Sequence, residues 1–170
     1  EKDRSLLNDT DIVDKLTEQR EMISMRSAES RPLVAIVDDE LGNAQLLSMA
    51  LAADYETCIA NTGKDALCMI KSRTPDLILL DIMIPDIDGY EICIKLKTDK
   101  ETAKIPIIFI TGLEGSENEE LGFEVGAADY LYKPINATVM TMRIARILDN
   151  AMYIEFLENM ATQREHTIET

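Results

Sequence analysis

Five short apolar runs set the limits on this fold: LVAIV (33–37), YETCIA (55–60), DLILL (76–80), PIIFI (106–110) and the weaker ADYLY (128–132). Between them lie GNAQLLSMALA (42–52), GKDALCMIKS (63–72), GYEICIKLKT (89–98) and SENEELGFEVG (116–126), each with apolar residues at helical spacing and polar ones opposite. Short apolar runs alternating with longer amphipathic ones are the pattern of a parallel sheet covered by helices on both faces. The prediction is an α/β fold, a doubly wound five-stranded parallel sheet with (βα)5 organisation. Pro75 and Pro106 stand at strand entries, where a missing N–H costs little. Gly63 and Gly89 stand where strand passes to helix.

A chain of 170 residues holds one such domain with room for two short elements. Its hydrophobic fraction of 46% beside 29% charged residues is globular, and no window approaches the ~18 apolar residues of a membrane span. The formal net charge of −15, with basic residues that nowhere form a stripe, repels nucleic acid and excludes direct DNA binding. Cys58, Cys68 and Cys93 are odd in number, far apart and set among apolar neighbours, so they are expected to be reduced core residues. The chain opens at Glu1 without a charged segment leading into an apolar one. The expected setting is the cytoplasm, in a piece or processed product of a longer protein. His166, the sole histidine, lies in a polar stretch far from catalytic partners and is expected at the surface.

Residues 1–31 are polar, with a helical pattern at Ile12, Leu16 and Ile23, and read as an amino-terminal helical segment or linker. Residues 32–148 hold the alternating unit. From about Ala137 no Gly or Pro interrupts the last helix, so 149–170 read as its continuation, a linker or a dimerisation helix. Met140, Ile144, Ile147, Ala151 and Ile154 keep a 4-3-4-3 spacing, with Glu158 at the next position. That stripe suits a helix packed on its own domain, and equally a coiled-coil seam that carries a dimer or a signal.

In an open parallel sheet, ligands bind beyond the carboxyl ends of the strands. There the sequence puts Asp38, Asp39 and Glu40 after the first run, Asp81 after the third, Thr111 after the fourth, and Lys133 with Pro134 after the fifth. Carboxylates a few ångströms apart repel, and without a cation at least one takes up a proton. Lys133 answers part of the charge. The rest suits a hard ion, and Mg²⁺ takes one or two carboxylates and keeps its waters for a phosphate. Asp81, held rigidly at the end of a buried strand, is a candidate nucleophile for in-line attack on phosphorus, with Lys133 and Thr111 placed to meet the equatorial oxygens. Taken singly, Asp38 or Asp39 reads as a helix cap, Asp86 or Asp88 as a cap or turn residue, and Thr111 and Lys133 as ordinary surface groups. Their joint placement at one end of successive strands does not reduce to capping.

These residues sit in longer stretches: "VDDE" (37–40), "LLDIMIPDIDGYE" (79–91), "PIIFITG" (106–112) and "GAADYLYKPI" (126–135). Over about residues 32–148 the sequence resembles a response-regulator receiver domain of two-component signalling. The resemblance implies a flavodoxin-like sheet of order 2-1-3-4-5 and a phosphorylation-dependent switch rather than an enzyme. Asp81 would accept a phosphoryl group from the phosphohistidine of a histidine kinase. Asp39 and Asp81 would ligate Mg²⁺ directly, with the backbone carbonyl of Met83, and Asp38 chiefly through water. Thr111 and Lys133 would bind phosphoryl oxygens. Tyr130 would be the switch aromatic, turning inward as Thr111 moves toward the phosphoryl group. Ala128 and Ile135 depart from the family pattern without removing a catalytic group, while Met83 and Leu113 border the site and predict a moderately slow loss of the phosphoryl group.

Two other readings use the same residues. A haloacid-dehalogenase-type aspartyl-phosphate hydrolase needs a second aspartate two residues after the nucleophile, where Met83 stands. A non-switching dimerisation module would leave the pocket vestigial. No helix-turn-helix and no glycine-rich nucleotide loop follows, so the output is expected in an attached domain or a partner protein. By family analogy, receivers with such a helix are joined to cyclic-dinucleotide phosphodiesterases, cyclases or kinases.

Overall fold

The computed structural model describes residues 31–112 and 115–168 and, in the amino-terminal stretch, residues 14, 17, 18 and 21. The chain divides into two compact units, Glu1–Arg31 and Pro32–Thr170. In the first, Asp14, Thr17, Glu18 and Glu21 are helical, and the predicted stripe of Ile12, Leu16 and Ile23 lies outside the described residues.

In the second unit the chain alternates as predicted: β1 (Leu33–Val37), α1 (Leu41–Leu51), β2 (Glu56–Ala60), α2 (Gly63–Arg73), β3 (Leu77–Asp81), α3 (Gly89–Thr98), β4 (Ile107–Thr111), α4 (Ser116–Glu124), β5 (Asp129–Tyr132) and α5 (Ala137–Ile168). The five strands are parallel, in the order β2-β1-β3-β4-β5. β3 and β4 each extend one residue past their apolar runs. Asp81 pairs in register with Ile110, and Thr111 with Tyr132. Both polar residues are therefore held by the sheet rather than by a loop.

Because strand side chains alternate, the sheet feeds two cores. Ala35, Val37, Ile78, Leu80, Ile107 and Phe109 face α2 and α3, meeting Ala66, Ile70, Ile92 and Leu96. Val34, Ile36, Leu77, Leu79, Ile108 and Ile110 face α1 and α5, meeting Ala44, Leu51, Met140 and Ile144. Strands covered on both sides read as unbroken apolar runs, which is why β1, β3 and β4 stand out in the sequence. Each large aliphatic side chain so buried contributes about 1.5–3 kcal/mol. A one-residue slip would exchange the two faces of a strand and spoil both cores at once.

Two expectations change. Cys58 and Cys93 are buried, but Cys68 is exposed. The buried stripe of α2 runs through Ala66 and Ile70, and Cys68 lies about 200° around the helix from Ala66. The stripe on α5 also divides. Met140, Ile144 and Ile147 are buried in the domain's own core, so this half follows the domain-packing reading, whereas Tyr153, Ile154 and Leu157 are exposed. No helix among the described residues is long and apolar enough to cross a membrane.

Candidate functional site

The order 2-1-3-4-5 reverses the chain's direction of travel between β1 and β3, which opens a crevice at their carboxyl ends. Asp38 and Asp39 follow β1 and Asp81 ends β3. One oxygen from each of the three carboxylates lies within 4.8 Å of the others. Lys133, just after β5, reaches over the end of β4: its Nζ donates to Asp38 Oδ2 at 2.9 Å and to Asp81 Oδ2 at 2.7 Å. Its own amide donates to the Thr111 carbonyl at 2.9 Å, and the Lys133–Pro134 peptide is cis. Asp38, Asp81 and Thr111 are buried, while Asp39 is exposed. The residues singled out at the strand ends are thus brought to one edge, with Met83 beside them and Leu113 outside the described residues.

The remaining oxygens are anchored to the loops. Asp38 Oδ1 accepts from the Glu40 amide at 2.9 Å, and Asp81 Oδ1 from the Met83 amide at 3.0 Å. Glu40, at the N-cap position of α1, makes no side-chain cap bond. Burial raises the pKa of Asp81 despite the Lys133 ammonium and the Met83 amide beside it, and the Asp38 carboxylate adds to the rise. Burial alone would lower the pKa of Lys133, but its bonds to Asp81 and Asp38 outweigh that and the net shift is upward. The two directions have different causes: burial disfavours the charged form of Asp81, whereas the paired carboxylates of Asp81 and Asp38 favour the charged form of Lys133. Each carboxylate has about four acceptor positions, so Asp81 keeps capacity beyond its bonds to Lys133 and Met83. A partly buried, oxygen-only donor set with surplus negative charge fits Mg²⁺.

Tyr130 is already inside. It is 3% exposed, and its ring packs 6.0 Å from Phe109 and 5.3 Å from Tyr132, with Tyr90 a further 5.2 Å from Phe109. The expectation ties an inward turn of this ring to the phosphoryl group, and the structure shows the inward, packed arrangement. The space comes from Gly122 on α4, where a Cβ would stand 3.1 Å from the Tyr130 ring and 3.2 Å from Phe109. The Tyr130 hydroxyl is buried next to that of Tyr90, which donates to the Asn118 carbonyl at 3.1 Å. Burial, and after it the neighbouring Tyr90 hydroxyl, raise the Tyr130 pKa.

Three contributors escaped the sequence reading. Gly89 was placed at a strand-to-helix passage, but its role is contact: a Cβ there would stand 2.5 Å from the Asp81 carbonyl oxygen. Gly122 carried no signal. Asp86 and Asp88 were read together as cap or turn residues, yet only Asp88 serves its own helix, accepting from the Tyr90 amide at 2.7 Å. Asp86 instead binds the amides of Gly63 and Lys64 on α2.

Residues 34–145 match the family model for the response regulator receiver domain. The chain is 38% identical over 130 residues to a "Probable cyclic di-GMP phosphodiesterase" of Vibrio cholerae serotype O1, a match covering 76% of this chain and 30% of that protein. It is 39% identical over 125 residues to "Response regulator PleD" of Caulobacter vibrioides, covering 73% of this chain and 28% of the relative. The chain therefore spans about a third or less of the length of these two relatives. A crystal structure of a CheY-like response regulator receiver domain protein from Methanospirillum hungatei superposes with a TM-score of 0.68 at 30% identity, covering 73% of this chain and 98% of that one.

Proposed function

The chain belongs to the response-regulator receiver family of two-component signalling, and from that premise we propose that it is a phosphorylation-dependent switch whose phosphoacceptor is Asp81. Receiver domains are regulatory, act with histidine kinases and output domains, and bind Mg²⁺ in an acidic pocket; Asp38, Asp39 and Asp81 form such a cluster here. The observation that carries the reading is the Lys133 ammonium shared between Asp38 and Asp81 at the end of a central strand.

In the proposed reaction an Asp81 carboxylate oxygen forms a bond to phosphorus as the phosphorus–nitrogen bond of the kinase's phosphohistidine breaks and the imidazole leaves. Bound Mg²⁺, held by Asp39, Asp81 and the Met83 carbonyl with Asp38 acting through water, would supply positive charge to the phosphoryl oxygens. Lys133 already lies 2.7 Å from Asp81 and would pair with one of those oxygens, and the Thr111 hydroxyl would donate to another. The added charge favours one arrangement of the α4, β5 and α5 face over another. β5 is tied to α5 through Arg143, which donates to Asp129 Oδ1 at 3.2 Å and to the Tyr130 carbonyl at 3.0 Å. α5 then runs on past Leu148 with exposed Tyr153, Ile154 and Leu157, a surface suited to a second copy of this chain or to an output domain.

The test is phosphoryl incorporation from acetyl phosphate with Mg²⁺. One acyl phosphate at Asp81, cleaved by hydroxylamine, is the expected result, with decay slower than seconds. Continuous turnover of an added phosphoester would favour the hydrolase reading instead, and absence of incorporation with Mg²⁺ bound would favour a dimerisation module.

Gly122→Ala tests the switch face. One added methyl against Tyr130 and Phe109 costs about 1 kcal/mol or more by overpacking, enough to shift the inward state of Tyr130 about 5-fold. Ala is also the better helix former, so global stability is expected to change little. The expected result is an outward shift of Tyr130, read by ring-labelled tyrosine NMR, with weaker binding of beryllofluoride. An unmoved ring would show that α4 gives way instead.

A further inference from the structure

The loop from β3 to α3 carries Met83, and its course sets where Asp81 and the Met83 carbonyl point. We infer that Asp86 is a positioning residue for the metal site: by binding the first amides of α2, it holds this loop in the conformation that Mg²⁺ binding requires. The inference rests on the receiver-switch reading above.

Both carboxylate oxygens of Asp86 are engaged. Oδ1 accepts from the Gly63 amide at 2.8 Å and Oδ2 from the Lys64 amide at 3.0 Å. These bonds hold the Asp86 carboxyl below the usual carboxylate range, and its charge faces the positive end of α2. The next amides of α2 are served locally: Asp65 N donates to Thr62 Oγ1 at 3.1 Å, and Ala66 N to the Thr62 carbonyl at 3.0 Å. The orphan donors of that helix end are thus divided between a residue of its own turn and one more than twenty positions away.

The loop lies directly against α2. A Cβ on Gly63 would stand 2.8 Å from Ile87 Cβ, an approach only glycine allows. On the inner side Ile82 and Ile84 are buried, and Gly89 N donates to the Ile82 carbonyl at 2.9 Å. The two ends of the loop are pinned in the core, and its tip is pinned by Asp86. Met83 stands between these anchors with an exposed side chain and its amide on Asp81 Oδ1 at 3.0 Å. A tip released from α2 can rotate, and the Met83 peptide is the nearest part of the pocket that such a rotation carries with it.

The test uses the whole chain and Mg²⁺ alone, with affinity read by calorimetry and amide hydrogen exchange followed at Gly63 and Lys64. Asp86→Ala is compared with Thr62→Ala, which weakens the same helix end without touching the loop. Asp86→Ala is expected to raise the Kd for Mg²⁺ about 10-fold, the usual scale for a group that orients metal ligands. Thr62→Ala is expected to leave the Kd within about 2-fold of wild type, since it removes a cap and no part of the loop. In the wild type, Mg²⁺ is expected to slow exchange at Gly63 and Lys64 although neither residue belongs to the pocket. Asp86→Asn, which keeps one acceptor, should fall between wild type and Ala. An unchanged Kd in Asp86→Ala, or an equal loss in Thr62→Ala, overturns the positioning role while leaving the switch reading standing. A wild type that binds no Mg²⁺ overturns both.

Discussion

Asp81→Asn is expected to reduce phosphoryl incorporation by on the order of 10³-fold or more, to background, because the amide cannot serve as the attacking carboxylate. The same substitution is expected to make the metal-free protein more resistant to urea at pH 7. The folded-state pKa of Asp81 is raised above its ordinary value of 3.8, chiefly by burial. The unfolded chain therefore releases this proton first, and stability present below the ordinary value is lost as pH rises through the folded pKa. Asn carries no charge and escapes that loss. Urea midpoints of the two proteins should coincide at the acid end of the carboxylate range and separate above it, with Asn the higher. Saturating Mg²⁺ should reverse the order, since ligand at 100 times its Kd stabilises the wild type by about 2.7 kcal/mol. A less stable Asn variant in metal-free solution at pH 7 would mean that the pair with Lys133 outweighs burial.

Gly89→Ala is expected to be the most damaging single methyl in the domain. Its Cβ would stand 2.5 Å from the Asp81 carbonyl oxygen and 2.6 Å from Ile82 Cα, and both are backbone atoms with no side-chain freedom to retreat. The backbone of β3 at its last residue, or the start of α3, has to move. Ala is favoured over Gly in a helix by about 1 kcal/mol. The clash exceeds that, and a net loss of about 3 kcal/mol is expected, at the upper end for overpacking. Phosphoryl incorporation should fall with it, because the displaced atoms carry the Asp81 side chain. Gly42→Ala is the matched control: a Cβ there meets nothing within 4 Å, and α1 should gain from the better helix former. Denaturation midpoints of the two variants, moving in opposite directions, are the expected result. Equal and small shifts would show that the β3–α3 junction is softer than its contacts imply.

Much of the fold was legible because its signals are local. Every predicted strand formed within a residue or so of its apolar run, and the helices began at or within one residue of the expected positions. The polar residues after those runs, Asp38, Asp39, Asp81, Thr111 and Lys133, came to one edge because parallel strands all end on the same side. Alternation, apolar spacing and the position of a charge relative to a run belong to the sequence itself, and no knowledge of distant neighbours is needed to read them.

What only the tertiary structure decided involves pairs far apart along the chain. The bonds of Asp86 to Gly63 and Lys64 join the loop after β3 to the first turn of α2, and nothing in either stretch names the other. Gly122 reads as a weak point in a helix until the Tyr130 and Phe109 rings are seen against it. Cys68 among apolar neighbours looked like a core residue, and the phase of α2 turned it outward. The even stripe on α5 was divided by where the domain's own core ends, just past Leu148. Spacing along a chain sets which side chains share a face, but close packing sets which faces meet and how nearly they touch. The sequence determined the layers and the charged edge; the contacts that hold the Asp81 loop and the Tyr130 ring depend on three-dimensional packing.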